Sequence, residues 1–237
     1  MTARGKALVL MHGDWGPPGL LAEWLEERGI PYDLHRTYVG APMPDPDGYA
    51  FIASLGSNRS PRDTDDAAVA AELLFLREAI ERDVPILGLC FGGQALAEAL
   101  GGIVEAAPTP ELGWTEIDTD DPALVPPGPW LEWHYERFHT PPGATEIART
   151  AAATQAFRHG RHLGVQFHPE STVEIVKHWA ASDGERLAQL GHGDGSDLIA
   201  ATDEERAAAR AAAFAFFDGF LAIANDPAAP AAAVREG

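Results

Sequence analysis

The feature that most constrains this chain is its only cysteine, Cys90, set in Val84-Pro85-Ile86-Leu87-Gly88-Leu89-Cys90-Phe91-Gly92-Gly93-Gln94. A short apolar run ends at the cysteine, glycines stand two positions before and after it, and a helical pattern runs from Gln94 to Leu100. This reads as a strand, a sharp turn and a helix with a thiol at the apex. Such an elbow needs small residues around the turn, because side chains there collide with the strand and the helix. Gly88 and Gly92 leave that room, and glycine tolerates unusual backbone angles. The helix start then directs free N–H groups and the positive end of its dipole at the sulfur, which stabilises the thiolate. The alternative is a buried structural cysteine. The glycine spacing favours the elbow.

The flanking pattern agrees with such a turn. Ala7 to Met11 reads as a buried parallel strand, Leu20 to Arg28 as a short helix closed by Gly29, Tyr32 to Arg36 as a second strand and Ala50 to Leu55 as a third. Asp65 to Arg82 carries Val69, Leu73, Leu76 and Ile80 on one helical face, and Val84 to Leu89 is the strand that leads into Cys90. Alternating strands and helices imply a parallel sheet with right-handed crossovers. Further on, Ile103-Val104, Trp114 to Ile117 and Glu146 to Ala148 read as short antiparallel pieces between proline clusters, and Gly164 to Phe167 as another strand. Thr172 to Trp179 and Glu204 to Ala224 read as helices. One domain over residues 1–224 is expected, with residues 225–237 a frayed Ala- and Pro-rich tail.

A net charge of −19 argues against nucleic acid as a partner, since phosphates are repelled by such a surface. A lone cysteine forms no internal disulfide and fits a reducing cytoplasm. No signal-cleavage pattern follows Met11, and no apolar stretch reads as long enough to span a membrane. No His, Cys and carboxylate group has metal-ligand spacing, and no phosphate-binding loop is present, so neither a metal nor another cofactor is expected.

A thiol needs a base, a group that orients the base, and donors for the oxyanion. His168, in Gly164-Val165-Gln166-Phe167-His168-Pro169-Glu170, follows an apolar strand and should project from its carboxyl end, where open parallel sheets place their sites. Glu170 lies two residues on, on the same side of an extended segment, and can approach the far ring nitrogen. A solvated His-Pro-Glu helix start is the competing reading. His159 and His162 read as exposed turn residues, and His12, His35, His139, His178 and His192 as lacking partners at meaningful spacing.

The blocks Gly88 to Gln94 and Gly164 to Glu170, in this order and separation, resemble those of class I glutamine amidotransferases, and the resemblance extends from the first strand to about Phe217. The chain is most similar to free-standing domains like the amidotransferase part of GMP synthetase; Gly113-Trp114, Trp133-His134, Pro141 to Ala144 and Gln155 to Gly160 carry that likeness. The resemblance implies a flavodoxin-like α/β fold: a mixed, mostly parallel sheet with helices on both faces and a small antiparallel extension. It also implies a Cys90–His168–Glu170 triad that hydrolyses the side-chain amide of glutamine through a γ-glutamyl thioester, releasing ammonia for a separate acceptor enzyme, a synthetase. The Phe91 N–H would be one oxyanion donor, Gly56 would lie near the second, Gln94 would line the substrate pocket, and His134-Tyr135 would hold the amino-acid end of glutamine.

Two departures bear on the substrate. Leu55-Gly56-Ser57-Asn58-Arg59 stands where the family has a Gly-Gly-Pro-like run, and Tyr135 stands where a small residue is common. Arg59 and Arg62 face either a substrate carboxylate or solvent. Hydrolysis of another γ-glutamyl amide or peptide by the same triad is the second function the sequence supports. A silent binding subunit should lack a triad member, and this chain lacks none.

Overall fold

In the computed structural model, residues 5–226 are described, so the fraying expected of residues 225–237 falls almost wholly outside them. The strands are β1 (Ala7–Met11), β2 (Tyr32–Arg36), β3 (Phe51–Ser54), β4 (Ile86–Leu89), β5 (Val104–Thr115), β6 (Asp118–Thr119), β7 (Trp130–Phe138), β8 (Thr145–Arg149), β9 (Thr154–His159) and β10 (His162–Val165). The helices are α1 (Gly19–Glu27), α2 (Ala67–Glu81), α3 (Phe91–Ala99), α4 (Val173–Ser182), α5 (Gly184–Gln189) and α6 (Ser196–Ala224).

Among the described residues, eight strands form one sheet in the order β2-β1-β3-β4-β10-β9-β8-β6. The β2-β1-β3-β4-β10 part is parallel and the β10-β9-β8-β6 part antiparallel. Period-two alternation sends the two halves of each central strand to opposite layers. Ala7, Val9 and Met11 face a layer of α1 and α6 built on Trp24, Phe216, Phe217 and Phe220, whereas Leu8 and Leu10 face a layer of α2 and α3 built on Leu73, Leu76, Phe91 and Leu96. The mixed sheet with helices on both faces is therefore the one expected. Connectivity reverses between β1 and β3, and a crevice opens there outside the carboxyl ends of the strands.

The elements read from sequence recur with shifts of one to a few residues at most ends. The Asp66 side chain caps α2 by accepting from the N–H groups of Ala68 and Val69. Three differences are larger. The short antiparallel pieces of the middle are parts of longer structure: β5 runs as one strand through Pro108 and Pro110, with a register shift between Ala106 and Glu111 that absorbs the prolines, and pairs with β7 in a separate two-stranded sheet. Helix α5 is additional, and α6 begins at Ser196 rather than Glu204. Finally, α6 is long and apolar enough by composition to cross a membrane, contrary to the expectation that no stretch is. Its Phe214, Phe216, Phe217 and Phe220 are instead packed into the core, and Arg28 and Trp24 of the α1 segment hydrogen-bond Asp218 on it.

Candidate active site

The turn after β4 has the predicted steric character. Cys90 stands before the first residue of α3 with φ 52° and ψ −106°, a left-handed backbone rare for a residue with a side chain. A Cβ on Gly88 would lie 2.3 Å from the Gly92 carbonyl oxygen, and one on Gly92 would lie 2.1 Å from the Ser54 carbonyl oxygen. Both neighbours are backbone and cannot swing aside, so the elbow demands glycine at both positions. The Cys90 N–H donates to Val165 O (2.9 Å) and the Gly92 N–H to Leu55 O (3.1 Å), tying the turn to β10 and to the end of β3. Phe91 opens α3, so its N–H has no acceptor within the helix.

His168 lies three residues beyond β10 and is held by its N–H donating to Leu131 O of β7 (2.9 Å). Its Nδ1 and Glu170 Oε1 are 2.8 Å apart, which leaves Nε2 for Cys90. The ring packs on Trp179 of α4, with centroids 4.5 Å apart. The Glu170 carbonyl accepts the Leu20 N–H at the start of α1 (2.9 Å). Cys90, His168 and Glu170 are all buried. Burial works against a charged His168 ring, but the sulfur of Cys90 and the carboxylate of Glu170 outweigh it and hold the ring's pKa well above the ordinary imidazole value. The structure thus brings these three side chains together.

Gly56, Gln94, His134 and Tyr135 line the same crevice, whereas the Phe91 side chain is buried in the core and only its N–H is available there. Gly56 lies just past β3, so close under His168 that a Cβ there would lie 2.9 Å from His168 Cε1. Gln94 Nε2 donates to Glu136 O (3.0 Å) and to Gln166 Oε1 (3.3 Å), and Gln166 Nε2 in turn lies 3.7 Å from Cys90 Sγ. Cys90, Gln94, His134, Tyr135, Gly56 and His168 all border one pocket of about 520 Å³, whose outer wall is Trp15, Trp133, Trp179, Asp183 and Arg186. Asp183 accepts from Trp133 Nε1 (3.1 Å) and from the Tyr135 hydroxyl, and the Arg186 guanidinium lies 4.4 Å from the Tyr135 ring centre. Tyr135 is therefore fixed as a wall of the pocket. Arg59 borders the pocket and pairs with Asp66 (2.8 Å), and Arg62 pairs with Glu136 (3.3 Å), so protein carboxylates engage both.

Beneath the pocket, His134 Nε2 lies 3.2 Å from Glu111 and 3.3 Å from Glu132, at ion-pair distance though out of line for hydrogen bonds. Burial opposes its charge, but the two carboxylates prevail and raise its pKa to about 10. Glu132 is fully buried with neither oxygen hydrogen-bonded, and burial raises its pKa.

Several histidines depart from expectation. His159 and His162, expected to be exposed, are buried because their hairpin is an interior part of the main sheet. Desolvation lowers both, His162 to about 4. His139 and His192 pair with Glu105 and Asp197, each at 2.9 Å. His12, expected to lack a partner, is buried against Glu72 (2.7 Å), a contact across 60 residues of sequence that spacing along the chain does not reveal. Among the described residues no group of three or more metal-binding side chains is assembled.

A family model for class-I glutamine amidotransferases matches residues 49–179, which take in α2, the cysteine elbow and the His168–Glu170 segment. The chain belongs to that family. The glutamine amidotransferase-like protein YfeJ of Salmonella typhimurium is 28% identical over 84% of this chain and 88% of its own length. The glutamine-hydrolysing GMP synthase of Aeropyrum pernix is 30% identical over 70% of this chain, which spans only 34% of that enzyme. A glutamine amidotransferase structure from Methylobacillus flagellatus superposes with a TM-score of 0.83 at 24% identity, covering 94% of this chain and 96% of the other, and one from Thermotoga maritima with 0.83 at 21%, covering 94% and 99%. These two likenesses establish the fold.

Proposed function

We propose that the protein hydrolyses the side-chain amide of glutamine with Cys90 as nucleophile, His168 as base and acid, and Glu170 as the group that orients His168. The observation that carries this reading is the meeting of a thiol on a left-handed elbow with a buried imidazole whose far nitrogen is already committed to a carboxylate. The sulfur attacks the amide carbon while the carbonyl oxygen gains charge between the Phe91 N–H and the segment at Gly56. His168 donates its proton to the departing nitrogen, ammonia leaves, and a γ-glutamyl thioester remains. His168 then takes a proton from water, the resulting hydroxide adds to the thioester, and glutamate is released with the thiol restored. Gln94 and the His134-Tyr135 segment hold the amino-acid end of the substrate. The ammonia passes to a separate synthetase, by analogy with the GMP synthases that the chain resembles, and the reaction takes place in the cytoplasm.

A second reading rests on the pocket. Its volume of about 520 Å³ falls in the range that encloses drug-sized ligands, and its Trp15, Trp133, Tyr135 and Trp179 walls provide contact area beyond a γ-glutamyl group. A γ-glutamyl amide or peptide bearing a bulkier amine would use the same triad. Trapping with a glutamine-like electrophile followed by peptide mass mapping tests the nucleophile. The adduct is expected on Cys90, and Cys90→Ser is expected to lose amide hydrolysis by about 10⁴-fold or more with its fold intact. Labelling elsewhere, or an active Cys90→Ser protein, rejects the mechanism. A panel of γ-glutamyl amides then ranks the substrates, and glutamine cleaved far faster than the rest removes the second reading.

A further inference from the structure

A substrate that brings a carboxylate into this pocket needs a cation to meet it. The chain is strongly acidic, and Asp63, Glu136 and Asp183 border the same space. Of the lining residues only Arg59 and Arg186 carry permanent positive charge. In so acidic a chain an arginine ordinarily finds a carboxylate, as Arg28 does with Asp218 and Arg137 with Glu105, both at 2.7 Å. Arg59 follows that pattern with Asp66. Arg186 does not: among the described residues no carboxylate oxygen lies within 4.0 Å of its guanidinium, and no hydrogen bond engages it. Asp183, on the same wall, is turned instead to Trp133 Nε1 and the Tyr135 hydroxyl, both through Oδ2.

What steadies Arg186 is a ring. Its guanidinium carbon lies over the face of Tyr135, 4.4 Å from the centre, where the ring quadrupole attracts a cation. The contact leaves the N–H donors of the guanidinium without oxygen acceptors. The ring is itself anchored by its hydroxyl, which donates to Asp183 immediately before α5, three residues ahead of Arg186. Alternation along β7 sends Trp133 and Tyr135 into the cluster with Trp179 and Leu187, and His134 to the other face with Glu111 and Glu132. The position where a small residue is common in the family therefore supplies the platform for a cation beside the pocket. A guanidinium is a planar fork of donors that matches a carboxylate with two parallel bonds.

From this arrangement we infer that Arg186, steadied on Tyr135, binds a carboxylate of the substrate. The inference rests on the amide-hydrolysis reading of the site. Two carboxylates answer to that chemistry. One is the α-carboxylate of the γ-glutamyl unit, present in glutamine itself; the other belongs to the leaving amino acid of a γ-glutamyl dipeptide. Either is remote from the amide carbon and unchanged by the reaction, so the contact acts alike on the bound substrate and the transition state. Its loss raises KM and leaves kcat in place.

The test is steady-state kinetics on the full chain with glutamine, γ-glutamylglycine, γ-glutamylmethylamide and 4-aminobutanamide. The methylamide lacks the leaving-group carboxylate, and 4-aminobutanamide lacks the α-carboxylate; where the latter is not cleaved, its constant as a competitive inhibitor takes the place of KM. Arg186→Gln is expected to raise KM by about 5- to 30-fold for substrates that bear the bound carboxylate, with kcat within about twofold. If the α-carboxylate is bound, glutamine and both γ-glutamyl compounds shift together and 4-aminobutanamide does not. If the leaving-group carboxylate is bound, γ-glutamylglycine alone shifts. Arg206→Gln removes the same charge from an exposed site on α6 away from the pocket and is expected to leave every constant within about twofold of wild type. Three results overturn the proposal and leave the hydrolysis reading intact: unchanged KM for every carboxylate-bearing substrate in Arg186→Gln, a loss confined to kcat, or an equal shift with 4-aminobutanamide and γ-glutamylglycine alike. An equal shift in Arg206→Gln does the same, since the effect is then one of overall charge. A wild-type protein that cleaves none of these amides overturns the hydrolysis reading and this proposal with it.

Discussion

Replacing Gly56 with alanine adds a single methyl group beside His168, so its effect can be worked from the geometry. The new Cβ would lie 2.9 Å from His168 Cε1 and 3.6 Å from Nδ1. Ordinary contact begins near 3.4 Å, so the ring must withdraw by about half an ångström or the loop must shift by as much. The ring has little freedom, being held by Glu170 at 2.8 Å and backed by Trp179. The neighbour is a side chain rather than backbone, so the cost to folding stays near 1–2 kcal/mol, the usual range for modest overpacking. In a chain of this size that lowers Tm by about 2–8 °C. Catalysis is more sensitive, since a 1 Å misplacement of reacting groups costs about 10²-fold. Gly56→Ala is therefore expected to keep a cooperative thermal transition while kcat for amide hydrolysis falls by about 10- to 100-fold. Thermal unfolding and steady-state kinetics on one preparation measure both. A folded Gly56→Ala protein with kcat within threefold of wild type refutes the view that His168 works from the position seen here.

Two further expectations concern protons. Glu170→Gln removes the carboxylate that, with the Cys90 sulfur, holds the His168 proton against burial, so the ring loses it at lower pH; the alkaline limb of kcat/KM is expected to move to lower pH and kcat to fall by about 10²-fold or more, and an unmoved limb counts against the pairing. Stability should peak near pH 6.5–7. His134, raised to about 10 in the folded state, contributes stability that is complete below its unfolded value of 6.5 and is lost as pH climbs toward 10, a fall on the order of 5 kcal/mol at most; Glu132, also raised, acts in the same direction. His162, lowered to about 4, makes the unfolded chain bind the extra proton, so stability also drops as pH falls from 6.5 toward 4. Urea unfolding across pH 5 to 9.5 reads both slopes, and a flat profile above pH 7 would sink the assignment of a buried, protonated His134.

The parts of the fold that were legible are those whose burial is apolar on both faces or whose ends carry their own signals. β1 and β4 are continuous apolar runs, and α2 announces its start with Asp66. β7 was not legible because two of its buried positions are Glu132 and His134, and a hydropathy pattern cannot anticipate charges that are buried in company. Pro108 and Pro110 interrupt the strand pattern of β5, and an isolated two-stranded ribbon with a register shift accommodates them at little cost. The beginning of α6 carries little signal for the opposite reason: its first turns are mostly exposed, with little apolar face.

The site divides along the same line. His168 and Glu170 are two residues apart, and Cys90 lies in its own local turn, so each could be found from short-range chemistry. His12 could not be found that way, because its partners Gly56 and Glu72 lie 44 and 60 residues off. Yet a longer-range rule was available. In a parallel sheet the residues just past the strand ends converge on one edge whatever their separation in sequence. The strand ends of β1, β3, β4 and β10 deliver His12, Gly56, Cys90 and, three residues on, His168. A histidine just past β1 therefore arrives beside the cysteine and the histidine delivered by β4 and β10. Its ring is wedged between the Glu72 side chain and the Gly56 carbonyl. The information was present as topology, and it becomes chemistry only when the order of the strands is known.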